Sequence, residues 1–201
     1  MIRTTLLLLS FALSLSLAAQ RPPRLSSPDA NADGSYTFRY FAPEADTVLL
    51  HGEFLSAPQT MQRDADGVWT ATVADIEPDI YPYFFEQDGV QLADPNNTHV
   101  FANERFKRSI VEVKGAGAQE FSLRDVPHGQ VRYEYYESAT LDTTRRMLVY
   151  TPPGFEMHGE RRYAVLYLIH GGSDTEETWY RWAGPTSSPT TSLRTARQSP
   201  C

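Results

Sequence analysis

From about residue 33 to residue 113 apolar and polar positions alternate in short bursts separated by turn residues. This is the pattern of β-strands buried on one face. Ser35–Phe41 places Tyr36, Phe38 and Tyr40 on one side, and Val48–His51 is a short run of the buried type. Gly67–Val73, entered through Asp66-Gly67, sets Trp69, Ala71 and Val73 on a common face. Tyr81–Glu86 leads into Asp88-Gly89, the strongest short hairpin signal, and Val90–Leu92 returns. Ser109–Val113 closes the set. Short strands at this spacing, with no helical period, predict an all-β sandwich over residues 33–115. Trp69 and the Tyr81/Tyr83/Phe85 face are assigned to its core rather than to a sugar-stacking surface.

The texture changes after Gly115-Ala-Gly-Ala118. Val131–Ser138 and Arg145–Pro152 are two further strand candidates. Tyr163–Ile169 is apolar on both faces, as a central strand of a covered parallel sheet must be. It ends in His170-Gly171-Gly172, and the acidic stretch Asp174–Trp182 follows with helical character. Strand, glycine turn and helix make α/β grammar, so the chain divides near residues 115–125. The fold class expected is an all-β sandwich followed by the incomplete start of an α/β fold.

The first nineteen residues stand apart. Arg3 precedes an apolar run from Leu6 to Leu17, closed by Ala18 and Ala19. That is the three-part pattern of a secretory signal peptide, too short to span a bilayer as a helix. The expectation is a secreted or periplasmic protein with residues 20–32, rich in Pro and Ser, as a flexible lead-in. No membrane anchor is expected after cleavage. Removal of Arg3, the sole charge in that leader, takes the net charge from −7 to −8. An acidic chain without a Lys/Arg run lacks the electrostatic footprint of nucleic-acid binding. The sole cysteine is Cys201, so there is no disulfide framework and no thiolate metal site, and no cofactor motif occurs.

Three segments in order, Val126-Pro-His-Gly129, Arg145–Phe155 and Tyr163–Gly172, followed by Trp179, resemble the start of the bacterial esterase D family. That family includes feruloyl and acetyl-xylan esterases and enterochelin-esterase-like proteins. Tyr36–Asn97 resembles the Ig-like (E-set) carbohydrate-binding-module sandwich that precedes such esterases and also fronts starch-branching enzymes. The matching pieces are Tyr36–Pro43, Leu50–Phe54, Asp66–Trp69 and Asp94-Pro-Asn-Asn97. The resemblance implies an α/β-hydrolase over 125–183 that acts on carbohydrate esters by serine acyl transfer. It implies that the backbone N–H around Gly171–Gly172 is one donor to the developing oxyanion, the residue after the serine nucleophile supplying the other. It places Trp179 on the rim of the substrate site and leaves His170 structural. Nothing singles out His51 or His128, which are read as surface or turn histidines.

No G-x-S-x-G occurs in the 201 residues, so the Ser/Asp/His triad is missing and the chain as it stands is expected to be inactive. Residues 184–201 are Ser/Thr/Pro-rich. Codons CCN, ACN and TCN read one nucleotide earlier become NCC, NAC and NTC. Positions 185, 188, 189 and 192 then take the i, i+3, i+4, i+7 spacing of an amphipathic helix. The expectation is an out-of-frame tail created by a frameshift after Ala183 or Gly184, with Cys201 its accidental end. Residues 126–183 would then present Ala164–Ile169 with bare edges and exposed apolar faces. The alternative function is a non-catalytic carbohydrate-binding or interaction module. A fragment of a starch-branching or debranching enzyme is disfavoured by the His170-Gly171-Gly172 turn. The partner expected is a carbohydrate ester or polysaccharide; the oligomeric state is open.

Overall fold

The computed structural model describes residues 23–101, 103–115 and 125–182. The leader at 1–19 and the tail at 184–201 lie outside the described residues, as does most of the Gly115–Ala118 punctuation.

The alternating segments form two antiparallel sheets. The first orders β1 (Asp29–Ala30), β2 (Tyr36–Phe41), β6 (Val68–Val73) and β5 (Gln62–Arg63) as β1-β2-β6-β5. The second runs β4 (Gln59–Thr60), β3 (Val48–Gly52), β7 (Ile80–Gln87) and β8 (Val90–Leu92), with β9 (Ser109–Glu112) also on β7. The period of two puts one face of each strand inward. Tyr36, Phe38, Tyr40, Trp69 and Ala71 from the first sheet meet Val48, Leu50, Tyr83, Phe85 and Val111 from the second. Aromatic pairs join the layers: Phe38 meets Tyr83 edge-on at 5.0 Å, and Tyr40 meets Phe85 at 5.0 Å. Such pairs add about 0.5–1.5 kcal/mol each beyond the area they bury. Trp69 lies in this core, and its indole N–H donates to the Ala42 carbonyl at 2.9 Å.

The turns follow their residues. Asp88 and Gly89 both take positive φ, 48° and 85°, the twist a two-residue hairpin needs. Asp88 Oδ1 also accepts the amides of Asp46 and Thr47 at 3.1 and 2.8 Å. Gly67 sits at φ 82°, and a Cβ there would lie 2.6 Å from Pro43 Cβ.

The lead-in is shorter than the Pro/Ser composition suggests. Asp29 and Ala30 pair with Thr37 and Tyr36, and Ser27 is buried. Ser27 Oγ donates to Asp94 Oδ2 at 2.5 Å and accepts the Arg39 amide at 3.1 Å. Asp94 is the centre of a buried polar cluster. Its Oδ2 also accepts the Tyr83 hydroxyl at 2.8 Å, and its Oδ1 accepts the Asn96 amide at 2.8 Å. The Asp94 amide donates to Ser109 Oγ at 2.9 Å, and Asn97 Nδ2 donates to the Tyr83 hydroxyl at 3.0 Å. Burial pushes the Asp94 carboxyl above its usual range despite these bonds, and burial beside Asp94 pushes the Tyr83 hydroxyl up as well.

The second part is smaller than an α/β layer. β10 (Gln130–Ser138) and β11 (Thr143–Thr151) form an antiparallel hairpin, the two strands expected from Val131–Ser138 and Arg145–Pro152. The run expected as a central parallel strand pairs with nothing among the described residues, and Val165–Ile169 are 62–83% exposed. A strand is a ladder, and apolar residues without a neighbouring ladder form none. The helix expected over Asp174–Trp182 is confined to α1 (Thr178–Trp182). Asp174 is instead drawn into an isolated bridge with Asn103, which takes the first turn out of helical geometry.

Candidate functional site

His170-Gly171-Gly172 turns at the surface, with both glycines exposed. A Cβ at Gly172 would meet nothing within 4 Å, and one at Gly171 would meet only Asp174 Oδ2 at 3.1 Å. Ser173 follows in the left-handed region at φ 63°, and the Asp174 amide closes the turn on the Gly171 carbonyl at 3.3 Å. His170 keeps its ring on this turn, with Nδ1 2.9 Å from the Gly171 oxygen. Trp179 is 53% exposed, and its indole N–H donates to the Ile169 carbonyl at 3.2 Å. The indole therefore returns to the residue that enters the turn. The arrangement offers backbone donors on an open surface beside a large aromatic ring. Ser173, Asp174 and His170 share this turn, but the His170 ring bonds the Gly171 carbonyl and the Asp174 carboxylate bonds Asn103.

Residues 173–182 are held from two sides. On the hairpin side the Tyr133 hydroxyl donates to Glu177 Oε1 at 2.9 Å, and Arg146 bonds Glu176 and Glu177 while its guanidinium lies 4.8 Å from the Tyr133 ring. Arg181 also bonds Glu177. Burial alone would raise the Glu177 carboxyl; the bonds from Arg181 and Tyr133 and the charges of Arg181 and Arg146 outweigh it and hold it below its usual value. On the sandwich side Asn103 Nδ2 donates to Asp174 Oδ1 at 2.7 Å, the Glu104 amide donates to the Ser173 carbonyl at 2.7 Å, and His99 Nε2 lies 2.8 Å from the Arg181 carbonyl.

The outer face of the second sheet is the other candidate surface. The β3–β7 register sets His51 opposite Phe84, and their rings stack at 4.5 Å and 11°. His51 Nε2 is 3.0 Å from Glu86 Oε2. Arg108 lies 5.1 Å from the Phe84 ring and 4.6 Å from that of Phe106, geometries in which a cation is attracted to the ring face. Phe106, at 39%, is the single exposed aromatic among the described residues of the sandwich. His51, read as a surface or turn histidine, lies on this outer face half-buried, with a stacked ring and a carboxylate beside it. Strand pairing would have shown this, because His51 and Phe84 share the outward phase.

His128 lines an open groove of about 300 Å³ with Gln130, Arg132, Pro152 and Phe155. Among the described residues no carboxylate lines it. Gly129 is fixed by space: a Cβ would lie 2.1 Å from the Thr151 carbonyl oxygen. Among the described residues no group of three or more His, Cys, Asp or Glu is placed to hold a metal ion, and no helix is long and apolar enough to cross a membrane.

Residues 26–103 match the family model of carbohydrate-binding module 48, the isoamylase N-terminal domain, and form a domain of that Ig-like type. An endo-1,4-β-xylanase/feruloyl esterase of Xylanibacter ruminicola is 29% identical over 163 residues. The match takes in 78% of this chain and 22% of that protein, so the chain spans about a fifth of its relative's length. The chain is a distant homologue of that esterase. Among solved structures, the enterobactin esterase of Shigella flexneri is 18% identical with a TM-score of 0.42, over 68% of this chain and 44% of that one. The ferric enterobactin esterase of Salmonella typhimurium is 19% identical with a TM-score of 0.38, over 61% and 42%.

Proposed function

We propose that the chain is the front portion of a secreted carboxylic-ester hydrolase acting on feruloyl or acetyl esters of plant polysaccharide. The observation that carries this reading is the 163-residue match to a feruloyl esterase, which is more than twice as long as the 26–103 sandwich segment and so reaches into the second part. The exposed backbone at Gly171 and Gly172 supports it, because acyl transfer needs donors where negative charge develops on the substrate oxygen. In this reading a backbone N–H at Gly171–Gly172 is one donor to the ester carbonyl, the residue after the attacking serine supplies the other, and Trp179 lines the rim of the site. The 201 residues hold no G-x-S-x-G to supply that serine. The sandwich is an accessory module, and export follows from the leader at 1–19.

Feruloyl and short-acyl chromogenic esters test the proposal. The 201-residue chain gives no turnover, and a version continued in the neighbouring reading frame after codon 184 does. Turnover by the short chain, or its absence in a continued chain that contains G-x-S-x-G, overturns the corresponding half. A second reading, a non-catalytic carbohydrate-binding module, is favoured by the family match at 26–103. Retention on insoluble xylan or starch, lost on Phe106→Ala, would support it.

A further inference from the structure

We propose that Asn103 is a positioning residue: through Asp174 it docks the glycine-turn segment 171–182 on the sandwich and fixes where the Gly171–Gly172 donors point. The partner of this part of the sandwich surface is then the chain's own turn. The functional consequence rests on the ester-hydrolase reading above; the docking does not.

Asn103 is buried, and its side chain is used at both ends. Its Oδ1 accepts the amides of Arg105 and Phe106 at 2.9 and 3.3 Å, which orients the amide plane. Its Nδ2 is thereby aimed outward at Asp174 Oδ1, 2.7 Å away. Phe101 anchors the same segment by packing with Ile80 and Ile110 on the second sheet. The rigid body that holds Asn103 is therefore the sandwich itself. At the far end of the contact, Asp174 closes the turn with its amide on the Gly171 carbonyl, and its Oδ2 lies against Gly171. The Glu104 amide donates across the same junction to Ser173, one residue beyond Gly172. Two bonds, to Ser173 and Asp174, act within two residues of the donors and so fix the turn where the donors lie. A bond to a charged acceptor is about twice as strong as a neutral one, so the carboxylate is the stronger of the two.

The Glu104 amide reports the docking directly, since its acceptor lies in the docked segment. Its hydrogen exchange is measured by NMR in the 201-residue chain and three variants. Asn103→Asp keeps the acceptor for Arg105 and Phe106 but sets carboxylate against carboxylate; Glu104 exchange rises by about tenfold or more. Asp174→Asn retains an oxygen acceptor and exchanges within about threefold of the parent, since a neutral bond replaces a charged one. The reciprocal pair, Asn103→Asp with Asp174→Asn, lets the new amide donate to the new carboxylate and restores protection. That rescue distinguishes a specific contact from general damage, and unchanged amide shifts in β2, β6 and β7 show the sandwich intact. A parent Glu104 amide that exchanges at the unprotected rate, or a reciprocal pair no better than Asn103→Asp, overturns the proposal. In a continued, active chain, Asn103→Asp lowers kcat and the reciprocal pair recovers it; kcat unchanged in the face of lost protection overturns the positioning role. Absence of activity in the continued chain counts against the hydrolase reading alone, because the exchange result is independent of it.

Discussion

Replacing Asp94 by alanine removes the acceptor on which three parts of the sandwich converge. Ser27 arrives from the lead-in, Tyr83 from β7 and the Asn96 amide from the following turn. Ser27 and Tyr83 are both buried, so neither hydroxyl gains water freely when the carboxylate goes. A buried polar group left without its partner costs about 1–3 kcal/mol. Relief from burying the carboxylate offsets part of this, so two hydroxyls and one amide give a loss of about 3–5 kcal/mol. Small domains hold about 5–15 kcal/mol in all, and each kcal/mol moves Tm by roughly 4–8 °C at this size. Urea unfolding followed by far-ultraviolet circular dichroism at neutral pH measures the change. A loss below about 1 kcal/mol would refute the reasoning, since it would mean that the hydroxyls are not committed to Asp94. The pH dependence supplies a second check. The folded carboxyl lies above its unfolded value, so between the two values the native state holds a proton that the unfolded chain has lost. Parent stability therefore falls as pH rises through that window, and Asp94→Ala lacks this component. The gap between the two proteins narrows with rising pH across the window; a gap that widens there contradicts the sign.

Phe38→Ala deletes a fully buried ring stacked on Phe54 and packed edge-on against Tyr83, and lowers unfolding free energy by about 3–5 kcal/mol in the same assay. Gly67→Ala forces a positive φ on a residue with a Cβ aimed at Pro43 and costs about 1–3 kcal/mol, visible as a lower urea midpoint with unchanged slope. N-terminal sequencing of the protein recovered from the medium or periplasm of the producing cell finds a start at about residue 20; a start at Met1 contradicts export through the leader.

Much of the sandwich was legible in the sequence because its strands carry their own evidence. Tyr36, Phe38 and Tyr40, and then Trp69 and Ala71, alternate strongly enough to fix both strand and inward face, and Asp88-Gly89 fixes a hairpin by backbone conformation alone. The two-residue strands Gln59–Thr60, Gln62–Arg63 and Asp29–Ala30 had no such signal. They are strands because a neighbour is beside them, and their side chains are polar or small. Tyr163–Ile169 illustrates the reverse: a strong apolar pattern states a preference for burial but supplies no partner. In the candidate site the glycines were visible as a motif, whereas Asn103 was not. One asparagine in a polar loop looks like any other until the fold brings Asp174 to it.

The bonds between Ser27 and Asp94, 67 residues apart, and between the Tyr36 hydroxyl and both the Glu112 carbonyl and the Lys114 amide, set an order of events during synthesis. The first strands to leave the ribosome are closed by the last ones of the module. Until residue 94 has emerged, Ser27 lacks its carboxylate partner, and until about residue 114 the Tyr36 hydroxyl lacks both of its partners, so no shorter nascent chain can complete these closing bonds. Such long-range closure is slow relative to local structure. A polypeptide of this design gains its last closing bonds only when the final strand of the module has been made.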